Sequence, residues 1–226
     1  MVRATVQQLA NELVETLGRQ PPDKRYVLGI AGVPGAGKTW LAYYLVKMVN
    51  DKANAAVAIA LSMDGFHLTK AQLRAMPDPH EALRRRGAAW TFDAEGEMIV
   101  VLLTAAPLEG RITWPSFDHA HGDPVPDDIV LQPFQRLVIV EGLYLALDEP
   151  PWRDVPFDDL WLIELPSWQI AHDRLVLRHQ SAGLAENGER ARQRVEQNDW
   201  LNAQHVLSSC RPGTRRIELV PDESLK

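Results

Sequence analysis

Gly32-Val33-Pro34-Gly35-Ala36-Gly37-Lys38-Thr39 has the spacing G-x-x-x-x-G-K-[ST] of a phosphate-binding P-loop. Much of its chemistry lies in the backbone. Gly32, Gly35 and Gly37 can take positive φ and leave no Cβ in the way, so successive N–H groups converge on phosphate oxygens. A helix N-terminus at Trp40, counted here with the nucleotide-binding residues, adds its partial positive charge at the same spot. Lys38 would reach the β- and γ-phosphates, and the Thr39 hydroxyl would help hold Mg²⁺. The expected ligand is therefore a nucleoside triphosphate. Further along, Asp64 in Met63-Asp64-Gly65-Phe66-His67 offers a carboxylate. It can take a proton from an attacking hydroxyl, help hold Mg²⁺, or serve as a turn residue or helix cap. Arg174 and Arg178 are four apart, so on a helix they share one face; they could offset charge on a transferring phosphoryl group or pair with surface acids.

The elements that must position these residues are legible in the apolar pattern. Tyr26–Ala31 reads as a buried strand, Trp40–Val49 as a buried helix and Ala55–Leu61 as a second parallel strand. Strand–helix–strand is a right-handed crossover. Ligands of such sheets lie beyond the carboxyl ends of the strands, which puts Asp64 on the rim of the P-loop. Arg136–Val140 is another buried run, ending at Glu141-Gly142. Asp159–Leu165 supplies a further strand, Ser167 the N-cap of the helix after it, and Arg215–Val220 a last strand. That helix breaks at Gly183–Gly188 and restarts over Glu189–Val206. At the other end, Val6, Leu9, Leu13 and Leu17 recur at helical spacing within Val2–Leu17, with Gly18 as C-cap, a helix expected at the sheet edge. Between Phe66 and Phe134 lies a long, Pro-rich stretch, read as a substrate-facing insertion. It holds short helices at Leu68–Met76 and His80–Arg86, and Asp93 as cap of a helix whose apolar face is Met98–Leu103. His67, Trp90 and Tyr144 either touch substrate or are structural.

The 226-residue chain suits one α/β domain. A net charge of −6 and a pI near 5.6 argue against a general nucleic-acid binder. A single cysteine, Cys210, excludes an internal disulfide and fits a reducing cytoplasm. No apolar run approaches a membrane span, and the N-terminal stretch, polar and acidic throughout, is not a secretory signal. The expected partner is a small-molecule hydroxyl substrate rather than nucleic acid or membrane; a homodimer stays open.

GVPGAGKT followed by MDGFHL resembles the uridine kinase, phosphoribulokinase and bacterial pantothenate kinase superfamily of P-loop kinases. Arg85–Gly96, RRGAAWTFDAEG, is most similar to its nucleoside kinase-like or sugar-transport-associated branch. The resemblance runs from about Tyr26 to Val220. It implies an α/β P-loop NTPase three-layer sandwich with a five-stranded, mainly parallel sheet, spanning 1–226 as one domain with the insertion at 66–134 and a helical lid at 167–206. RLVIVEG resembles a Walker B strand of the hhhhEG form, which implies that Glu141 orients Mg²⁺ or acts near the acceptor. Ile112–Gly122 resembles the family's P-x-Y-[SD] segment, so Phe117, Asp118 and His119 are implied substrate contacts. Phe117 departs from the usual tyrosine, and His121 lies one position from where uridine kinases place a histidine. Asn198, Asp199 and Asn202 resemble an N-x-x-x-N element near the nucleotide, and the loop holding Arg211 and Thr214 is implied to lie against adenine.

The activity expected is phosphoryl transfer from ATP–Mg²⁺ to a hydroxyl of a nucleoside, a sugar or a pantothenate-like compound. A slow P-loop NTPase acting as a switch or adaptor is the competing class. The LSGGQ signature of ATP-binding-cassette proteins and the N-K-x-D of GTPases are both absent.

Overall fold

The computed structural model describes residues 1–93, 112–118 and 120–221. In chain order, β1 (Val2–Ala4) leads into α1 (Val6–Arg19), β2 (Tyr26–Gly32), α2 (Lys38–Ala53) and β3 (Ala58–Ser62). A 3₁₀ turn, Met63–Phe66, then opens the insertion, which carries α3 (Lys70–Arg74), α4 (Pro79–Arg84), β4 (Ile112–Asp118) and β5 (Asp123–Leu131). The chain returns through β6 (Leu137–Glu141) and β7 (Asp159–Glu164). It continues with α5 (Trp168–Ser181), α6 (Gly188–Arg194), α7 (Trp200–Ser208) and β8 (Arg215–Leu219).

The main sheet has six strands in the order β1-β8-β7-β2-β6-β3, every pair parallel. One strand more than expected is present. β1 is only three residues long, too short to show a period, and it adds to the edge through register with β8 (Ala4 opposite Leu219). Parallel strands covered on both faces bury both of their side-chain rows. In β6, Val138 and Val140 face a core with Trp114, Tyr144 and Trp152, while Leu137 and Ile139 face one with α1 and α2. Helix α1 forms because its apolar stripe, Val6, Leu9, Ala10, Leu13 and Leu17, can be buried. A Thr5–Gln8 capping box starts it. Gly18 does not end it; the helix runs to Arg19, with Gln20 at the C-cap.

Register decides what reaches the rim. Glu141 stands opposite both Ile30 and Ser62, and Gly32 opposite Ile163, so four strands deliver their last residues to one edge. In the insertion, α3 and α4 fall where helices were expected, in shorter form. Ile112–Asp118 is one arm of an antiparallel hairpin, with β5 as the other. The helix over Met98–Leu103 and His119 fall outside the described residues; Asp93, its expected cap, is the last described residue before them, and its N–H donates to Phe66 O (2.8 Å). After β7, Ser167 occupies the N-cap position of α5 without a side-chain cap bond. The stretch 189–206 is two helices joined by a π turn, Val195–Asp199. Among the described residues no helix is long and apolar enough to cross a membrane.

Candidate active site

The P-loop leaves β2 at Gly32 and turns into α2 with Gly35 at φ +75° and Gly37 at φ +91°, backbone that L side chains rarely adopt. Close packing adds a second reason for glycine at 35. A Cβ there would lie 2.9 Å from the Ala171 carbonyl oxygen, so the loop rests directly on α5. Lys38 Nζ donates to the carbonyls of Gly32 (3.0 Å) and Val33 (3.1 Å), which holds the ammonium inside the loop.

Around Lys38 the rim gathers charge. Glu141, 6% exposed, closes β6, and burial raises its carboxyl above the usual carboxylate range. The Lys38 charge and side-chain hydrogen bonds from Ser62 and Thr39 pull the other way. Burial lowers Lys38, opposed by the charges of Glu141 and Asp64. Lys38, Thr39, Ser62, Asp64 and Glu141 are thus one electrostatic cluster. Ser62 was not anticipated; its position just before Met63-Asp64 is that of a capping residue, and its Oγ accepts from Asp64 N (3.2 Å).

Asp64 stands in the 3₁₀ turn with its side chain 45% exposed, the most open group of the cluster's carboxylates. The turn is wedged in place. Trp114 Nε1 donates to Ser62 O (2.8 Å), and a Cβ on Gly65 would come within 2.1 Å of Pro115 O. His67 Nδ1 lies 2.8 Å from Asp64 O, and its ring stacks near Phe92 (4.0 Å) and Phe117 (4.9 Å). The Arg86 guanidinium lies 5.5 Å from the Phe117 ring centre. Phe117 therefore packs beside the turn that presents Asp64.

A cleft of about 910 Å³ runs from the P-loop outward. Thr39, Trp40, Arg174 and Arg178 line it, and Arg174 Nη1 donates to Gly35 O (3.2 Å). Both arginines are delivered by α5, as their spacing required. The far wall is apolar and brings together Val6 from α1, Leu219 at the end of β8, and Val220 and Pro221 after it. Val220 N donates to Ala4 O (3.0 Å), which ties the two segments together.

Several expected residues lie elsewhere. Arg211 and Thr214 precede β8, and in a parallel sheet that is the amino end, opposite the P-loop. Arg211 Nη1 donates to Arg153 O (2.9 Å), and Thr214 Oγ1 donates to Arg211 O (2.9 Å). Residues after β8, not before it, reach the cleft. Tyr144 is fully buried and donates its hydroxyl to Gly87 O (2.7 Å), so it is a core residue. Trp90 is half exposed on a separate cleft with Phe92, Trp152 and His205. Asp118 folds the hairpin: Oδ1 accepts from Ala120 N (2.8 Å) and His121 N (3.1 Å), and Oδ2 lies 2.5 Å from His121 Nδ1. These bonds bring its carboxyl down to about 2. Asn198, Asp199 and Asn202 are buried, bond to Arg86, His179 and Gly87 respectively, and do not line the P-loop cleft.

Among the described residues no group of three or more His, Cys, Asp or Glu could cage a metal. The oxygens of Thr39, Asp64 and Glu141 are hard donors that leave most positions to water and phosphate, the coordination Mg²⁺ prefers.

No family model matches the chain. A Schizosaccharomyces pombe protein, "Putative uridine kinase C227.14", is 38% identical over 200 residues, covering 88% of this chain and 84% of its own. The chain belongs to the uridine kinase-like P-loop kinases. The "ATP-dependent kinase-like protein notR'" of Aspergillus versicolor is 42% identical over 158 residues, 66% of this chain and 90% of its own. A solved structure, the "putative fructose transport system kinase" of Silicibacter sp. TM1040, superposes with a TM-score of 0.81 at 30% identity, covering 96% of this chain and all of that one.

Proposed function

We propose that this kinase transfers the γ-phosphoryl group of Mg-ATP to a hydroxyl of a small molecule: a nucleoside, a sugar or a compound of pantothenate type. The observation that carries the reading is the position of Asp64. Its partly exposed carboxylate shares a rim with Lys38 and Glu141, and Lys38 lines the same cleft as Arg174 and Arg178. P-loop amides and Lys38 hold the phosphates. Asp64 orients the acceptor hydroxyl and takes its proton as the phosphoryl group moves. Arg174 and Arg178 offset the charge spread over the transferring oxygens. Thr39, Asp64 and Glu141 would hold magnesium, which neutralises charge on the phosphate oxygens when bound.

The test is ADP production from Mg-ATP across a panel of nucleosides, sugars, hydroxy acids and pantothenate, with Lys38→Ala as the blank. Strong stimulation by one compound, lost in Asp64→Asn while ATP still binds, is the expected result. Slow hydrolysis that no compound stimulates, or an Asp64→Asn variant that turns over normally, would overturn the assignment.

A further inference from the structure

The lid and the acceptor side meet along one buried polar seam. His179, next in the chain to Arg178, is 4% exposed, and its Nε2 lies 2.7 Å from Asp199 Oδ2 in the π turn. In the same turn Asn198 Nδ2 donates to Arg86 O (3.3 Å). Asn202 Nδ2 donates to Gly87 O (3.1 Å), and its Oδ1 accepts from Arg85 Nη2 (3.0 Å). Arg86 carries the line onward: Nη2 donates to Leu68 O (2.8 Å) and Asp123 Oδ1 (2.9 Å), and the guanidinium lies over Phe117. Phe117 packs on His67, and His67 bonds to Asp64 O. Contacts and chain neighbours therefore link the helix that carries Arg178 to the backbone of the Asp64 turn.

Among the described residues, four buried side-chain polar atoms have no hydrogen-bond partner, and three lie on this seam: His179 Nδ1, Asn198 Oδ1 and Arg86 Nε. Buried polar atoms are nearly always paired, so such a concentration calls for a cause. A π turn is also uncommon, and it carries one residue more than an α-helical turn, an irregularity that recurs at functional sites.

We infer that His179, Asn198, Asp199 and Asn202 are positioning residues that couple nucleotide binding at the lid to the acceptor-side turn Arg85–Gly87. Through them Arg174 and Arg178 are brought to bear in step with the neighbourhood of Asp64. The inference rests on the kinase reading and adds to it the residues that join its two halves.

Hydrogen–deuterium exchange of the full chain tests this, with and without Mg²⁺ and a non-hydrolysable β,γ-imido ATP analogue. Residues 85–92 do not line the nucleotide cleft. In the parent, analogue binding is expected to slow their exchange about fivefold, the low end of site-to-site coupling. Asn198→Ala/Asn202→Ala is expected to bind the analogue within about twofold of the parent, yet lose that protection, with kcat reduced and the KM for ATP unchanged. If the double variant folds poorly, the near-isosteric Asp199→Asn gives the same comparison. Analogue binding to the parent without protection at 85–92, or protection that survives in the variants, overturns the coupling and leaves the kinase reading standing. Failure of the parent to bind the analogue at all overturns both.

Discussion

Gly65→Ala probes how tightly the Asp64 turn is wedged. The backbone at Gly65 is not the obstacle, since it is not among the positive-φ glycines. The obstacle is space: the new Cβ would stand 2.1 Å from Pro115 O and 2.6 Å from its carbonyl carbon, where ordinary contact begins near 3.4 Å. Turn and hairpin must part by about 1 Å, and they are clamped by the Trp114–Ser62 hydrogen bond and by the edge-on Phe66–Trp114 pair at 4.7 Å. Overpacking of this kind costs about 1–3 kcal/mol, and losing the clamp's hydrogen bond about 1 kcal/mol more. For a chain of this size that lowers Tm by about 5–15 °C. Moving a reacting carboxylate by about 1 Å lowers kcat on the order of 100-fold. Gly18→Ala is the control. It lies inside α1 with nothing within 4 Å of the new Cβ, so helix propensity alone should stabilise by about 0.5–1 kcal/mol. Thermal melts and coupled ADP assays on both variants decide the matter. A Gly65→Ala enzyme that melts within about 1 °C of the parent and turns over normally would refute the wedge.

Arg174→Ala and Arg178→Ala should each cut kcat by about 10²–10³-fold with little change in the KM for ATP, if they act on the transition state; steady-state kinetics separate this from a binding defect. Arg211→Ala should leave the KM for ATP unchanged, whereas Val6→Ala, at the cleft wall, should raise it; a rise for Arg211→Ala would return the loop before β8 to the nucleotide site. Asp118 has a folded pKa of about 2 against an ordinary 3.8, so its contribution is fully present above pH 3.8 and is lost as pH falls toward 2. The stability gap between parent and Asp118→Asn, from urea melts, should accordingly be flat above about pH 4 and shrink below it.

What the chain announces about itself is local. GVPGAGKT needs only its own glycines and the apolar runs on either side to become strand, loop and helix, and it did so between Tyr26 and Ala53. Arg174 and Arg178 needed only helical spacing to reach the same cleft. Glu141 needed only the end of a buried strand. These features depend on contacts within one or two turns or on the period of a single element, which a sequence carries directly. Other features depend on segments far apart in the chain. Β-strand β1 has three residues and no period of its own, and it exists because β8 offers an open edge. Arg211 and Thr214 lie at the amino end of β8, away from the P-loop, because the strand's direction in the sheet decides which of its ends meets that rim. Tyr144 looked available beside Glu141-Gly142, yet Gly87 takes its hydroxyl.

The sequence by itself therefore determined a P-loop between strand and helix, a carboxylate on its rim and two arginines on one helix face. Only the tertiary structure decided which residues wall the cleft, that Asp118 folds a hairpin, and that a buried polar seam joins α5 and the π turn to Arg85–Gly87. The physical reason is range. Phosphate binding uses backbone N–H groups that a short motif organises, whereas walls and seams are made by side chains that meet only after the sheet has set its order and register.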